Sequence, residues 1–392
     1  MMLSKSDLPR LLKKHYSTVD FAIEDIQRRE IGATYYDRHH SFNNINDLRD
    51  FLIEKGAEAP MCSTALWVTP EAFAGKGNAS MTWSKKNWQG ADLSFDLDCD
   101  HIDGYESMSY KDQIAEMADH TLRLVNILEQ EFGAKEIVIT FSGRRGFHVR
   151  VLDEAYRLLN SKTRRSIMHY LMGEKINIRE IMRGMDFNSF KGEVKCSMHP
   201  RTHGGWAGKL RMATERAMAE LELSKEPTQY AIDFINKYHT KKITTKQTNE
   251  LINRMISPMA RQQITKNGDV RAFLGQKATK TFMLNTLDMF FNHTKQLYAV
   301  ELDTSVTGDV RRLLRMPGGI NLKQGYACMV IGKEHLEDID LLFFAAEMTF
   351  GHEEVQVKVD KPVTVNGYRD FKLDAGVHTL PMCEAMLVLC QI

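Results

Sequence analysis

The chain has 392 residues, 43% hydrophobic and 26% charged, which excludes disorder and a disulfide scaffold and allows several domains or one large fold with an insertion. Its 52 basic and 51 acidic side chains leave a net charge of +1, so any nucleic-acid binding must come from local clusters of cations and not from a globally basic surface. The cysteines Cys62, Cys99, Cys196, Cys328, Cys383 and Cys390 show no C-x-x-C spacing; with a polar, basic start and no apolar run of roughly 18 residues, they predict free thiols and a soluble, cytoplasmic protein without membrane association.

Over about residues 1–155 helical and strand patterns are mixed. Leu93, Phe95 and Leu97 interleave with Ser94, Asp96 and Asp98, a period of two that predicts a strand with one apolar and one polar face. Residues 111–132 follow with Ile114, Met117, Ala118, Thr121, Val125, Leu128 and Phe132 at helical spacing. Next come EIVITF and FHVRVL, two short β-branched runs joined by a Gly-rich connection.

From 156 to 262 the pattern turns helical and more charged and reads as a helical insertion. Ser161 is the expected cap of a helix over TRRSIMHYLMG, and a second helix lies around MATERAMAELE. Lys237 to Gln247, rich in Lys and Thr, reads as an exposed connector. Strand character returns at QLYAVELD, YACMVIG and EVQVKVD, so 263–392 is expected to complete the sheet begun in 1–155. The fold class is α+β with a mixed sheet.

Three segments carry chemistry. In SFDLDCD, Asp96 and Asp98 stand at i and i+2 on a strand, project from one face and can together ligate a hard, oxygen-preferring cation. Alone, the pattern also fits solvated strand-edge carboxylates. In ITFSGRRGFHVRV, Gly143 and Gly146 permit a sharp turn between strands, while Ser142, Arg144, Arg145 and His148 supply donors for phosphate oxygens. A tight hairpin with a solvated arginine pair is the plainer alternative. In ELDTSVTGDVRRLLRMPGGINLKQG, Asp303 ends a strand, Thr307 caps an expected helix from about Gly308, Arg311 and Arg315 fall one turn apart, and Lys323 follows in the loop.

Together these segments resemble the small catalytic subunit of archaeal and eukaryotic DNA primases. That family shows a D-x-D strand, an S-G-x-R-G-x-H turn, and a distal aspartate followed by V-T-x-D-x-x-R-L-x-R-x-P, in this order and at about these separations. Flanking segments agree, among them YDRHHSFNN, KKNWQGADLSFDLDCDH and LNSKTRRSIMHYLMG; the likeness covers most of the chain and is weakest from about 175 to 300. The resemblance implies a primase catalytic core interrupted by a helical insertion. It implies that Asp96, Asp98 and Asp303 hold two Mg²⁺ or Mn²⁺ ions for in-line displacement of pyrophosphate. Ser142, Arg145, His148 and Arg315 would bind the triphosphate, with Arg144 and Lys323 in support, and Tyr36 and Arg38 would help with the initiating nucleotide. It further implies a heterodimer with a large regulatory subunit, a single-stranded DNA template and nucleoside triphosphates as substrates.

Two departures stand out. Members usually carry a Cys/His zinc site between the first two motifs, whereas residues 99–141 hold only Cys99, His101 and His120, so a structural zinc, which needs four ligands, is expected to be absent. Cys196, His199 and His203 are too few to replace it. Where the family commonly reads S-L-H-G-K-T-G, this chain has GINLKQG with Asn321 at the histidine position, an amide that can bond phosphate without adding charge. A related repair or translesion polymerase, which would extend primers but initiate poorly, and a non-catalytic nucleic-acid binding subunit are the competing readings; primer-free dinucleotide synthesis and metal-dependent incorporation separate them.

Overall fold

The computed structural model describes residues 2–34, 36–73, 83–102, 104–186, 195–274 and 279–392. In chain order, α1 spans Leu8–Thr18, β1 Ile31–Gly32, α2 Ile45–Lys55 and β2 Met61–Ser63. β3 (Leu93–Asp98) precedes α3 (Tyr110–Ile127), β4 (Ile137–Phe141), β5 (Gly146–Val151) and α4 (Ser161–Leu171). A run of helices follows: α5 (Gly205–Leu223), α6 (Pro227–Tyr238), α7 (Thr245–Ile256), α8 (Pro258–Asn267) and α9 (Lys280–Tyr298). Then come β6 (Leu313–Arg315), β7 (Met329–Ile331), α10 (Ile339–Met348), β8 (Glu354–Val359), β9 (Gly376–Pro381) and α11 (Met382–Gln391). Helices and small sheets in this mixture make an α+β fold. No described helix is long and apolar enough to cross a membrane.

The chain divides into two compact units, Met1–Met168 with Glu301–Ile392, and His169–Val300. The first unit is organised by an antiparallel sheet in the order β7-β4-β5-β3. Alternation in β3 and β5 drives Leu93, Phe95, Leu97, Phe147, Val149 and Val151 to full burial on the side where α3 packs with Ile114, Met117 and Ala118. Each large apolar side chain so buried contributes about 1.5–3 kcal/mol, which fixes the register and leaves the polar side chains of both strands on the opposite face. α3 begins where the Ser109 side chain accepts from the Asp112 amide. A smaller antiparallel sheet, β6-β2-β1, sets Arg315 opposite Met61 and Met61 opposite Gly32. In β8 the residues alternate as expected, with Val355, Val357 and Val359 buried between exposed Glu354, Gln356 and Lys358.

The second unit gathers α5 to α9 around Leu210, Leu221, Phe234, Leu251, Phe273 and Phe290. Its helices run past residue 262, where the sequence reading placed the end of the insertion, to Tyr298.

Three local expectations are corrected. The cap of α4 is Asn160, whose Oδ1 accepts from the Thr163 amide at 3.0 Å; Ser161 is the first helical residue. QLYAVELD is not a strand: Gln296 to Tyr298 are the last turn of α9, because Phe290, Phe291 and Thr294 extend its buried face, and only the segment beyond is extended. No helix begins at Gly308. Thr307 ends a short helix, Thr304–Thr307, and Leu313 and Leu314 are instead buried in β6, paired with β2. Arg311 and Arg315 therefore do not share a helical face.

Candidate active site

Antiparallel pairing places Asp96 opposite His148 and Asp98 opposite Gly146. With the odd-numbered residues of β3 in the core, Asp96 and Asp98 emerge together on the polar face. Asp303 joins them from far along the chain: its amide donates to the Asp96 carbonyl at 2.9 Å, and its Oδ1 accepts from the Ser305 amide at 2.8 Å, capping the short helix after it. Burial, then the neighbouring Asp98 and Asp303 carboxylates, push the Asp96 carboxyl up to about 7, with Arg312 opposing. The Asp96 side chain is still 23% exposed, so a cation can reach it. Like charges crowded in this way are relieved by a divalent cation with oxygen ligands, and the donor set fits one. Asp98, Cys99 and Asp100 also bring ligand atoms within 4.8 Å of one another. Burial pushes the Cys99 thiol up to about 12 and its Sγ donates to Gln113 Oε1 at 3.4 Å; a hard, oxygen-preferring cation would take the carboxylates there.

The connection between β4 and β5 is shaped by close approach. The Ser142 amide donates to the Gly146 carbonyl at 2.9 Å. Gly143 has φ 72°, and a Cβ there would stand 2.6 Å from the Tyr326 carbonyl oxygen; a Cβ on Gly146 would stand 1.8 Å from that of Leu97. Around this turn, Ser142 Oγ accepts from the Arg144 amide at 3.4 Å, and the Arg144 carbonyl accepts from the Tyr110 hydroxyl. The Arg145 guanidinium pairs with Asp100, approaches Asp98 Oδ1 at 3.8 Å and lies over the Tyr105 ring at 5.2 Å. His148 Nε2 is 3.6 Å from Asp96 Oδ1. Burial, then Arg315, Arg150 and Arg312, push the imidazole down to about 3. It is therefore neutral near pH 7 and can offer one N–H, not a cation.

Arg315, set by β6, has Nη1 buried without a hydrogen-bond partner, as has Arg145 at Nε. A buried donor left so costs about 1–3 kcal/mol, recoverable by an anionic ligand. Asn321 is buried and occupied by the backbone: Nδ2 donates to the Ser142 carbonyl at 3.2 Å and Oδ1 accepts from the Lys323 amide at 3.2 Å. Lys323 itself is exposed.

The segment from Phe95 to Gly332 matches the family model described as DNA primase small subunit, residues 95–332. The chain belongs to the DNA primase small-subunit family. It is thus a DNA-directed, primer-synthesising nucleotidyltransferase of the archaeal type. Similar proteins include the DNA primase small subunit PriS of Methanococcoides burtonii, 27% identical over 403 residues and covering 99% of this chain and 97% of the relative. That of Methanosarcina mazei is 28% identical over 412 residues, covering 98% and 94%. That of Halorubrum lacusprofundi is 28% identical over 363 residues, covering 90% and 86%.

The remaining sequence candidates of this primase small subunit fall less centrally. Tyr36 is 91% exposed. Arg38 Nε contacts Glu30 Oε1 at 3.0 Å, in a cluster where Glu30 also meets Lys86 at 2.8 Å and His39 at 2.9 Å. The smaller sheet links this segment to Arg315, since the Gly32 strand lies two places from β6. Cys196 is buried and the rings of His199 and His203 lie 4.1 Å apart, but the three are not among the described groups whose ligand atoms converge.

Sequence reasoning passed over Arg312, Asp100 and a buried ion network. Arg312 falls at the penultimate arginine of the V-T-x-D-x-x-R-L-x-R pattern and its charge acts on both Asp96 and His148, so the motif itself held the signal. Just before β3, fully buried Asp92 pairs with Arg29 at 2.8 Å and Arg150 at 3.2 Å, and its carbonyl accepts from Arg164 at 2.7 Å. No spacing announces these long-range pairs. Gly146→Ala should lower stability by about 3 kcal/mol or more, because the new Cβ must push β3 off β5; thermal denaturation checks this, and an unchanged Tm would contradict the close approach.

Proposed function

We propose that this chain is the catalytic small subunit of a primase that starts strands on single-stranded DNA from nucleoside triphosphates, with Asp96, Asp98 and Asp303 holding two divalent cations, Mg²⁺ or Mn²⁺. The observation that carries this reading is the backbone bond from Asp303 to Asp96, which gathers the carboxylates and leaves them in need of positive charge. When bound, such cations lower the pKa of an attacking 3′-hydroxyl and neutralise the triphosphate and its pyrophosphate leaving group.

The chain's own residues do the positioning. Arg145 and Arg315 supply guanidinium donors for phosphate oxygens, Ser142 and neutral His148 add uncharged donors, and Arg144 and Lys323 contribute positive charge. Asn321 acts by tying the Lys323 loop to the Ser142 turn, a positioning role that needs no charge. Tyr36 and Arg38 assist the initiating nucleotide from the Gly32 side of the smaller sheet. A large regulatory subunit would complete a heterodimer.

Primer-free synthesis on single-stranded DNA, with ribonucleotides and deoxyribonucleotides separately and with and without a large subunit, tests the proposal. Metal-dependent dinucleotide formation supports it, and extension of supplied primers without any initiation would refute it. Arg145→Ala and Arg315→Ala should each weaken nucleotide binding by on the order of 1.5–3 kcal/mol, read as a roughly ten- to hundredfold rise in KM. Unchanged KM and kcat in both would remove the arginines from the phosphate site.

A further inference from the structure

The C-terminal part of the first unit holds a second, chemically different group of ligands. Glu347 near the end of α10, His352 in the following loop and Cys383 at the start of α11 bring a carboxylate oxygen, an imidazole nitrogen and a thiol sulfur within 4.8 Å of one another. We propose that these residues, with Glu384 as the fourth ligand, form a zinc site.

The backbone holds the group together independently of any ion. The Cys383 amide donates to the Gly351 carbonyl at 3.1 Å, that of Met382 to the Glu353 carbonyl at 2.9 Å, and that of Gly351 to the Glu347 carbonyl at 3.1 Å. Gly351 makes the turn with φ 75°, and β8 and β9 continue the pairing from Glu354 opposite Pro381. His352 Nδ1 and Cys383 Sγ are thereby set 3.6 Å apart. Preorganisation of this kind spares a metal the ordering cost of its ligands.

All four side chains line one cavity of about 180 Å³, walled by Tyr326, Tyr368 and Leu387. Cys383 is buried, the two glutamates are half-buried and His352 is exposed, giving an ion a way in from solvent. Neither Glu347 nor Glu384 makes an ion pair with a described side chain. Arg369 lines the same cavity and lies over the Tyr368 ring at 5.7 Å, so it offsets the excess negative charge of two carboxylates and a thiolate around a divalent ion. A sulfur, nitrogen and oxygen set suits zinc, whereas Mg²⁺ takes oxygen ligands and gains nothing from the thiolate. The ion would clamp α10 to α11 behind Tyr326, whose carbonyl accepts from the Asn321 amide at 2.9 Å.

Cobalt(II) is the probe for this site, because a cobalt–thiolate bond gives a charge-transfer band in the near ultraviolet. The metal-depleted full-length chain should develop that band to saturation at one equivalent and lose it when Zn²⁺ is added, and Asp96→Asn should retain it. Cys383→Ser should abolish it. His352→Ala, at an exposed position that folding tolerates, should weaken cobalt binding at least about tenfold, since even outer-shell losses cost that much. No band at stoichiometric cobalt, or a band lost in Cys99→Ser but kept in Cys383→Ser, would overturn the proposal.

Discussion

Alanine at Asp96, Asp98 or Asp303 should each abolish nucleotide incorporation while the protein stays folded. The three carboxylates lie on the polar side of β3 and at the start of the Thr304–Thr307 helix, outside the apolar core that holds the sheet on α3. Removing one therefore leaves the packing intact but takes a ligand from the cations on which charge neutralisation depends, a loss of about 4 kcal/mol of transition-state stabilisation, roughly a thousandfold in rate. Asp303 needs a second variant, because its side chain also caps the helix after it and alanine there costs about 1 kcal/mol of stability. Asp303→Asn keeps an acceptor for the Ser305 amide and should be as inactive as the alanine variant. The measurement is metal-dependent incorporation at saturating nucleotide, beside circular dichroism and Tm. Near-normal turnover in any one variant takes that residue out of the site.

What could be read beforehand follows from the range of the interactions involved. β3, α3, β4 and β5 were legible because each buries one face against a partner, and one-sided burial writes a period of two or 3.6 into the sequence. The close approach at Gly143 and Gly146 was legible for a similar reason, since glycine marks backbone that tolerates no Cβ. The segment after Asp303 was not. Thr307, Arg311 and Arg315 fit a helix by spacing, and only pairing of Leu313 to Arg315 with Ser63 to Met61, a contact no local pattern encodes, makes β6 a strand. The juxtaposition of Asp303 with Asp96 likewise has no local signature, and it was the order of motifs that pointed to it. The Glu347, His352 and Cys383 group has no local spacing to announce it, because Cys383 lies 31 residues beyond His352 and is brought back to it by the β8–β9 pairing.

The sharpest separation of activity from stability should come from Asp96→Asn. Burial, then crowding by Asp98 and Asp303, raises the Asp96 carboxyl from an ordinary 3.8 to about 7. The folded state then holds a proton that the unfolded chain has already released, so stability falls as pH rises from about 4 to about 7, and the full penalty is present above that. A difference of about three pH units corresponds to an upper figure of about 4 kcal/mol at about 1.4 kcal/mol per unit. Asparagine cannot ionise and fills nearly the same space, so in the absence of divalent cations the variant should be more stable than the parent at pH 8 and equal to it near pH 4. Added Mg²⁺ or Mn²⁺ should narrow the gap by stabilising the parent, and below pH 7 it should do so less well, with its midpoint rising about tenfold per unit as cation binding must displace the Asp96 proton. Urea unfolding from pH 4 to 8, with and without the cation, gives both curves. Parallel pH dependence in parent and variant would mean that the Asp96 carboxylate bears no such charge burden and that the three aspartates do not form one electrostatic unit.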